Sequence, residues 1–211
     1  MHPAVHTYYA SGKRVGVDFS LLEISLPNEE MIDLIQNVGF DLIIIPPIIQ
    51  MARELIGKSM YVKADLQIED APERVHCATF VAWLYAQFGI WLPNKCLFQS
   101  LYGFEVKMSD RKEGDLVFIK GHHGLYISDP RKKIGHVGIL TKEDTIIHAA
   151  NSRRHVVEDT WSEFIDPKRR PIAIRRLTPS FERLATFQIP ESKNIVMMLD
   201  VWRMLVKHLP V

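Results

Sequence analysis

The chain predicts an α+β fold in which a helical half is followed by a half built from short strands. Two observations carry this. Between residues 28 and 88 apolar side chains recur at helical spacing, with Met31, Leu34, Ile35 and Val38 on one stripe and Cys77, Phe80, Val81, Leu84 and Phe88 on another. From 115 onward they fall instead into short β-type runs between turns, at 115–119, 124–127, 136–140, 145–149, 156–159 and 172–176. Helices first and strands after is the segregated pattern of an α+β domain.

Taken in order, residues 13–24 read as extended chain. Pro27-Asn28-Glu29-Glu30 then supplies a cap and an acidic first turn for a helix that stops at Gly39. Pro46-Pro47 punctuates the chain, and a second helix is expected over 48–57, before an irregular charged stretch up to Val75. The strongest helix begins at Cys77 and has its stop in Gly89. After the strands, Ile195, Met198, Leu199, Trp202, Leu205 and Leu209 recur at helical spacing in an amphipathic helix over 194–208, too short and too charged to span a membrane. We therefore expect an N-terminal extension over 1–47, a main domain over 48–177 and a C-terminal helical extension over 178–211 packed on the same body, with a homodimer through the last helix as one possible use of its apolar stripe.

At 211 residues, 47% hydrophobic and 24% charged, the chain has the profile of a globular protein. Lys+Arg 26 against Asp+Glu 25 leaves a net charge of +1, so no global field steers it to nucleic acid, and the basic runs at 131–133 and 168–170 read as solvated loops. The first residues lack the apolar stretch of a secretory signal, which points to the cytoplasm for the chain as written and to an extracellular or periplasmic site if a signal was trimmed. Two cysteines, Cys77 and Cys96, make neither a disulfide framework nor a CxxC zinc pair.

Cys77 opens a helix, where partial positive charge and free N–H groups lower a thiol pKa and can hold an oxyanion. Read alone it fits a core cysteine better. Cys96 follows Pro93-Asn94-Lys95 and reads as structural. A base is available in His136, which starts a strand in Gly135-His136-Val137-Gly138, with glycines that would leave room for a substrate. His148 lies on the next strand, and a hairpin would bring both imidazoles to one face, His148 orienting His136. The adjacent pair His122-His123 points to opposite faces of a strand and reads as a solvated turn rather than a metal site.

These residues resemble the NlpC/P60 family, papain-like peptidases best known for cutting cell-wall peptides. The matching elements are the helix 51–57, Tyr61, the Cys77 helix running into Gly89-Ile90-Trp91-Leu92-Pro93, Gly114-Asp115-Leu116-Val117-Phe118, His136-Val137-Gly138-Ile139 and Ile147-His148-Ala149, in that order and spanning roughly 48–177. The resemblance implies a papain-like fold and hydrolysis of an amide through a thioester, with Cys77 as nucleophile, His136 as base and His148 as third polar residue. It further implies Tyr61 near the oxyanion or substrate amine, His76 and Ala78 at the substrate, and no metal or organic cofactor. Typical members carry Asp-Cys-Ser-Gly where this chain has His76-Cys77-Ala78-Thr79, so the usual pocket for a peptide amine is altered and a cell-wall peptide is the default substrate only. Acyl transfer or thioester hydrolysis on a lipid-like substrate is the alternative within enzymes, and a binding module on a peptidase scaffold the alternative outside them.

Overall fold

A computed structural model describes residues 8–121, 133–165 and 171–208. The expected strand at 124–127, His122-His123, the basic runs at 131–132 and 168–170, and Leu209 lie outside the described residues.

The chain opens with β1 (Arg14–Asp18), α1 (Asn28–Asn37), β2 (Asp41–Ile43) and α2 (Ile48–Glu54), followed by β3 (Met60–Tyr61) and β4 (Arg74–Val75). The central helix α3 (Cys77–Gln87) comes next, then α4 (Cys96–Gln99) and β5 (Phe104–Glu105). The strand-rich stretch comprises β6 (Leu116–Lys120), β7 (Ile134–Leu140), β8 (Thr145–Ala150) and β9 (His155–Thr160), then α5 (Trp161–Phe164) and β10 (Pro171–Arg176). Finally come β11 (Leu184–Gln188) and α6 (Met198–Val206). The α+β class expected from the periodicity is what the chain adopts.

The described chain divides into two compact bodies, one formed by 1–45, 85–92 and 178–211, the other by 46–84 and 93–177. In the first, β1, β11 and β2 make a three-stranded antiparallel sheet, with Val15 opposite Phe187 and Phe187 opposite Leu42. Helix α1 buries Met31 and Ile35, and Gly39 takes the positive φ of 96° that ends it, as the glycine stop predicts. The segment 178–211 is more than a helical extension, because β11 adds a strand that residues 184–188, of mixed polarity and with only Thr186 and Phe187 buried, do not announce by alternation. Helix α6 is shorter than expected and buries Met198, Leu199, Val201 and Leu205 within this body, with Trp202 half-buried and its Nε1 donating to the Leu22 carbonyl at 3.2 Å.

The second body is an eight-stranded sheet in the order β4-β3-β9-β8-β7-β6-β10-β5. The run β6, β7, β8, β9 is a meander of antiparallel neighbours, so the three strands that matter for chemistry lie side by side. Asp115, fully buried ahead of β6, takes a two-pronged bond from Arg176 on β10, at 2.8 Å to Oδ1 and 2.9 Å to Oδ2. That bidentate pairing satisfies both charges and fixes the β6–β10 register. One face of the sheet packs Val117, Ile119, Leu140 and Ile146 against Phe164 of α5. No helix among the described residues is long and apolar enough to cross a membrane.

Candidate active site

The site begins with the start of α3. The His76 Nδ1 accepts the Thr79 N–H at 3.2 Å, while Thr79 Oγ1 accepts the His76 N–H at 2.9 Å, a reciprocal arrangement with the logic of a capping box. A histidine thus takes the role usually left to Ser, Thr or Asp. Burial and then the nearby Lys95 charge push the His76 pKa down, which keeps Nδ1 unprotonated and able to accept. Its nitrogen Nδ1 is therefore committed to the helix, leaving only the other edge of the ring for a ligand.

Cys77, the first helical residue, is buried and free of any disulfide. Its sulfur accepts from two main-chain N–H groups, that of Val137 on β7 and that of Ala78 in the first turn, and both favour the thiolate. The residue next to His136 in the chain therefore touches the thiol. Opposing this, a hydrogen bond with the Cys96 thiol, then burial, push the Cys77 pKa up, while the same bond pulls Cys96 below the ordinary thiol value. Cys96, read from the sequence as structural, opens α4 and stands against the nucleophile candidate. Gln99 of α4 holds it there by donating to the Ala78 carbonyl at 2.8 Å and to the Pro93 carbonyl at 2.7 Å.

Tyr61, His76, Cys77, Ala78 and Cys96 line one cavity of about 640 Å³, with Lys63, Asp65, Lys95 and Phe98 also in its wall. Ala78 offers it little more than main chain, being almost fully buried. Tyr61 has its pKa raised by burial and then by the charges of Cys77 and Cys96, so its hydroxyl stays protonated beside both sulfurs. Neither His136 nor His148 is among the described residues that line the cavity; β7 reaches it through Ile134.

The imidazoles are paired as the hairpin reading expects. His136 Nε2 and His148 Nδ1 are 2.8 Å apart, and the rings meet edge to face with centroids 4.9 Å apart. The β7–β8 register pairs Ile139 with Ile147, which sets His148 beside Gly138 and makes the two histidines diagonal neighbours on one face. Gly138 is what permits the approach, since a Cβ there would lie 2.3 Å from Ile146 Cγ2 and 3.1 Å from His148 Cβ. The glycines beside His136 thus serve strand packing rather than substrate room: a Cβ on Gly135 would meet Gly121 Cα at 2.4 Å. Phe164 closes over both rings, 5.5 Å from His136 and 4.9 Å from His148.

One residue of the cluster escapes the sequence reading. Asp159 Oδ2 lies 3.0 Å from His148 Nε2, and its Oδ1 accepts from Arg153 at 2.6 Å. The signal that could have found it is the β8–β9 register, which pairs Ile146 with Asp159 and so places the carboxylate diagonal to His148. Among the described residues no group of three or more His, Cys, Asp and Glu is arranged to hold a metal ion.

With this geometry stand the likenesses to known proteins. Residues 67–170 match the model of the NlpC/P60 family. Over 120 residues the chain is 32% identical to the peptidoglycan DL-endopeptidase CwlO of Bacillus licheniformis, covering 54% of this chain and 24% of that protein. Over 77 residues it is 36% identical to a probable endopeptidase of Haemophilus influenzae, covering 36% of this chain and 44% of that one. The chain thus spans less than half the length of these curated relatives. Among solved structures, NlpC1 of Trichomonas vaginalis superposes with a TM-score of 0.51 at 19% identity, over 62% of this chain and 42% of that one. The peptidoglycan hydrolase RipB of Mycobacterium tuberculosis does so with a TM-score of 0.50 at 18% identity, over 72% and 83%. At those identities the structures speak for the papain-like fold alone. Residues 67–170 of this chain are thus similar to the NlpC/P60 family, and it is over this stretch that the likeness holds.

Proposed function

We propose that the protein is a cysteine hydrolase that cleaves an amide bond in a cell-wall peptide, with Cys77 as nucleophile, His136 as base and His148 as its orienting partner. The observation that carries the reading is the thiol at the start of α3, its sulfur on the N–H groups of Ala78 and Val137, next in the chain to the joined imidazoles of His136 and His148. The relative named as a peptidoglycan DL-endopeptidase supports the substrate class, and with that class the reading places the action outside the cytoplasm.

His136 takes the thiol proton, and the Cys77 sulfur forms a bond to the amide carbon. The carbonyl electrons move onto oxygen, where main-chain N–H groups at the helix start stabilise them. As the C–N bond breaks, the amine leaves with the proton from His136, and a thioester remains. Water then attacks the thioester carbon, again giving its proton to His136, and the acid leaves as the Cys77 thiol is restored. The Tyr61 hydroxyl, at the cavity wall, donates to the oxyanion or contacts the leaving amine, and His76 and Ala78 border the same space.

Purified full chain incubated with soluble stem peptides from bacterial cell walls tests the reading, with new amines followed by mass spectrometry. Cys77→Ala and His136→Ala should each lower kcat by roughly 1,000-fold or more, and His148→Ala by less, because an orienting group is more replaceable than the groups it orients. Undiminished cleavage by Cys77→Ala would refute it. An acyl transferase acting at a lipid surface gains nothing from α6, whose apolar stripe is covered within its own body.

A further inference from the structure

Three side chains on three adjacent strands form an unbroken chain of bonds: His136 on β7, His148 on β8 and Asp159 on β9, each diagonal to the next. The far end is fixed by chemistry. An ionised carboxylate only accepts hydrogen bonds, so the His148 nitrogen facing it, Nε2, carries the proton. Two incoming donors mark Asp159 as an acceptor on both oxygens, because an arginine never gives up its protons and Arg153 occupies Oδ1 at 2.6 Å. A neutral His148 then has an unprotonated Nδ1, which must accept. The group it accepts from, at 2.8 Å, is His136 Nε2, which thereby carries the proton and leaves His136 Nδ1 without one. The tautomer of the base is thus dictated two residues away.

We infer that Asp159 is a positioning residue that fixes His136 in its proton-accepting tautomer through His148. The inference rests on the peptidase reading of Cys77 and His136 for its consequence, but the tautomers themselves stand apart from any substrate. His148 and Asp159 are 6% and 7% exposed, so little water competes for these bonds, and the Phe164 ring against both imidazoles restricts their rotation. Asp159 also gives the relay a countercharge at the moment His136 becomes an imidazolium. A carboxamide of the same shape cannot do this. In an Asp159→Asn variant the amide would offer one acceptor and one donor group to two incoming donors, and only the histidine can change its tautomer to suit. His148 would then turn its protonated nitrogen toward His136, which would shift its own proton to Nδ1, the nitrogen needed as base.

The test uses the full chain labelled with ¹⁵N in its histidine rings, read by two-bond ¹H–¹⁵N correlation at neutral pH. In the wild type, His136 and His148 should both be protonated on Nε2 alone. In Asp159→Asn at least His148 should switch to Nδ1, and kcat on soluble stem peptides should fall by about 100-fold or more with KM within about threefold, since the change touches the reacting tautomer and no substrate contact. A wild type with His148 protonated on Nδ1 overturns the inference, and does so even if Asp159→Asn fails to fold. A folded Asp159→Asn with wild-type tautomers and kcat overturns it as well. Wild-type rings in the expected tautomers in a protein that cleaves no stem peptide would support the relay and sink the peptidase proposal instead.

Discussion

At the scale of single residues, the cysteine pair holds the least expected chemistry. A thiol at a helix start is ordinarily helped toward the thiolate, yet Cys77 is held up by the hydrogen bond with Cys96 and by burial. Sequence spacing could not disclose this, because α4 is brought onto the first turn of α3 by Gln99, through bonds to the main chain that leave no pattern in the residues themselves. The sign of the effect gives a prediction. Removing the Cys96 thiol deletes the leading cause of the upward shift, so the Cys77 pKa should fall and its thiolate fraction at neutral pH should rise. Iodoacetamide should accordingly label Cys77 faster in Cys96→Ser than in the wild type, by severalfold, as followed by peptide mapping. Slower labelling in Cys96→Ser would mean that Cys96 activates its neighbour rather than restraining it.

At the scale of elements, the start of α3 and the β7–β8 hairpin show what periodicity can and cannot disclose. The stripe from Cys77 to Phe88 and the stop at Gly89, whose φ is +68°, were open to reading because helix length and termination are local properties. The capping role of His76 was not, since histidine carries no strong capping preference and its part depends on Thr79 three places on. The pairing of His136 with His148 follows from two strands and a hairpin, whereas the strand β11 stayed hidden, its partner β1 lying far away in the chain. The cap makes a prediction with a definite sign. A histidine whose folded pKa is lowered contributes stability that is present above its unfolded value near 6.5 and is lost as pH falls through the folded value. His76→Ala should cost roughly 1 kcal/mol at pH 8, as loss of a helix cap does, and the two proteins should converge as the pH is lowered. Thermal melts from pH 8 to pH 5 measure this, and a gap that widens in acid would show that Nδ1 is not the capping atom.

At the scale of the whole molecule, most of the motifs read between residues 48 and 177 fall in the body formed by 46–84 and 93–177, where β6 through β9 are neighbours in the sheet in the order they follow in the chain, while Gly89 to Leu92 belong to the other body. The body that gathers 1–45, 85–92 and 178–211 was not open to such reading, as it joins segments from both ends and the middle of the chain. Each body carries a buried aspartate whose pKa is displaced, and the two move in opposite directions, which makes the acid limb of stability informative. Asp159 is held below the usual carboxylate range, first by its hydrogen bond with His148, so the stability it contributes is present above the unfolded value near 3.9 and is lost as pH falls through its lower folded value. Asp18, with no exposure to solvent, is pushed up by burial against the pull of Ser20 and Thr178, so its contribution is full below that same unfolded value and is lost as pH rises through its folded one. Replacing Asp159 by Asn should therefore flatten the fall in melting temperature on the acid side, whereas Asp18→Asn removes a term that grows in acid and should steepen it. Calorimetric scans between pH 6 and pH 3 on the wild type and both variants separate the two, and parallel curves for all three proteins would show that neither carboxylate governs acid stability.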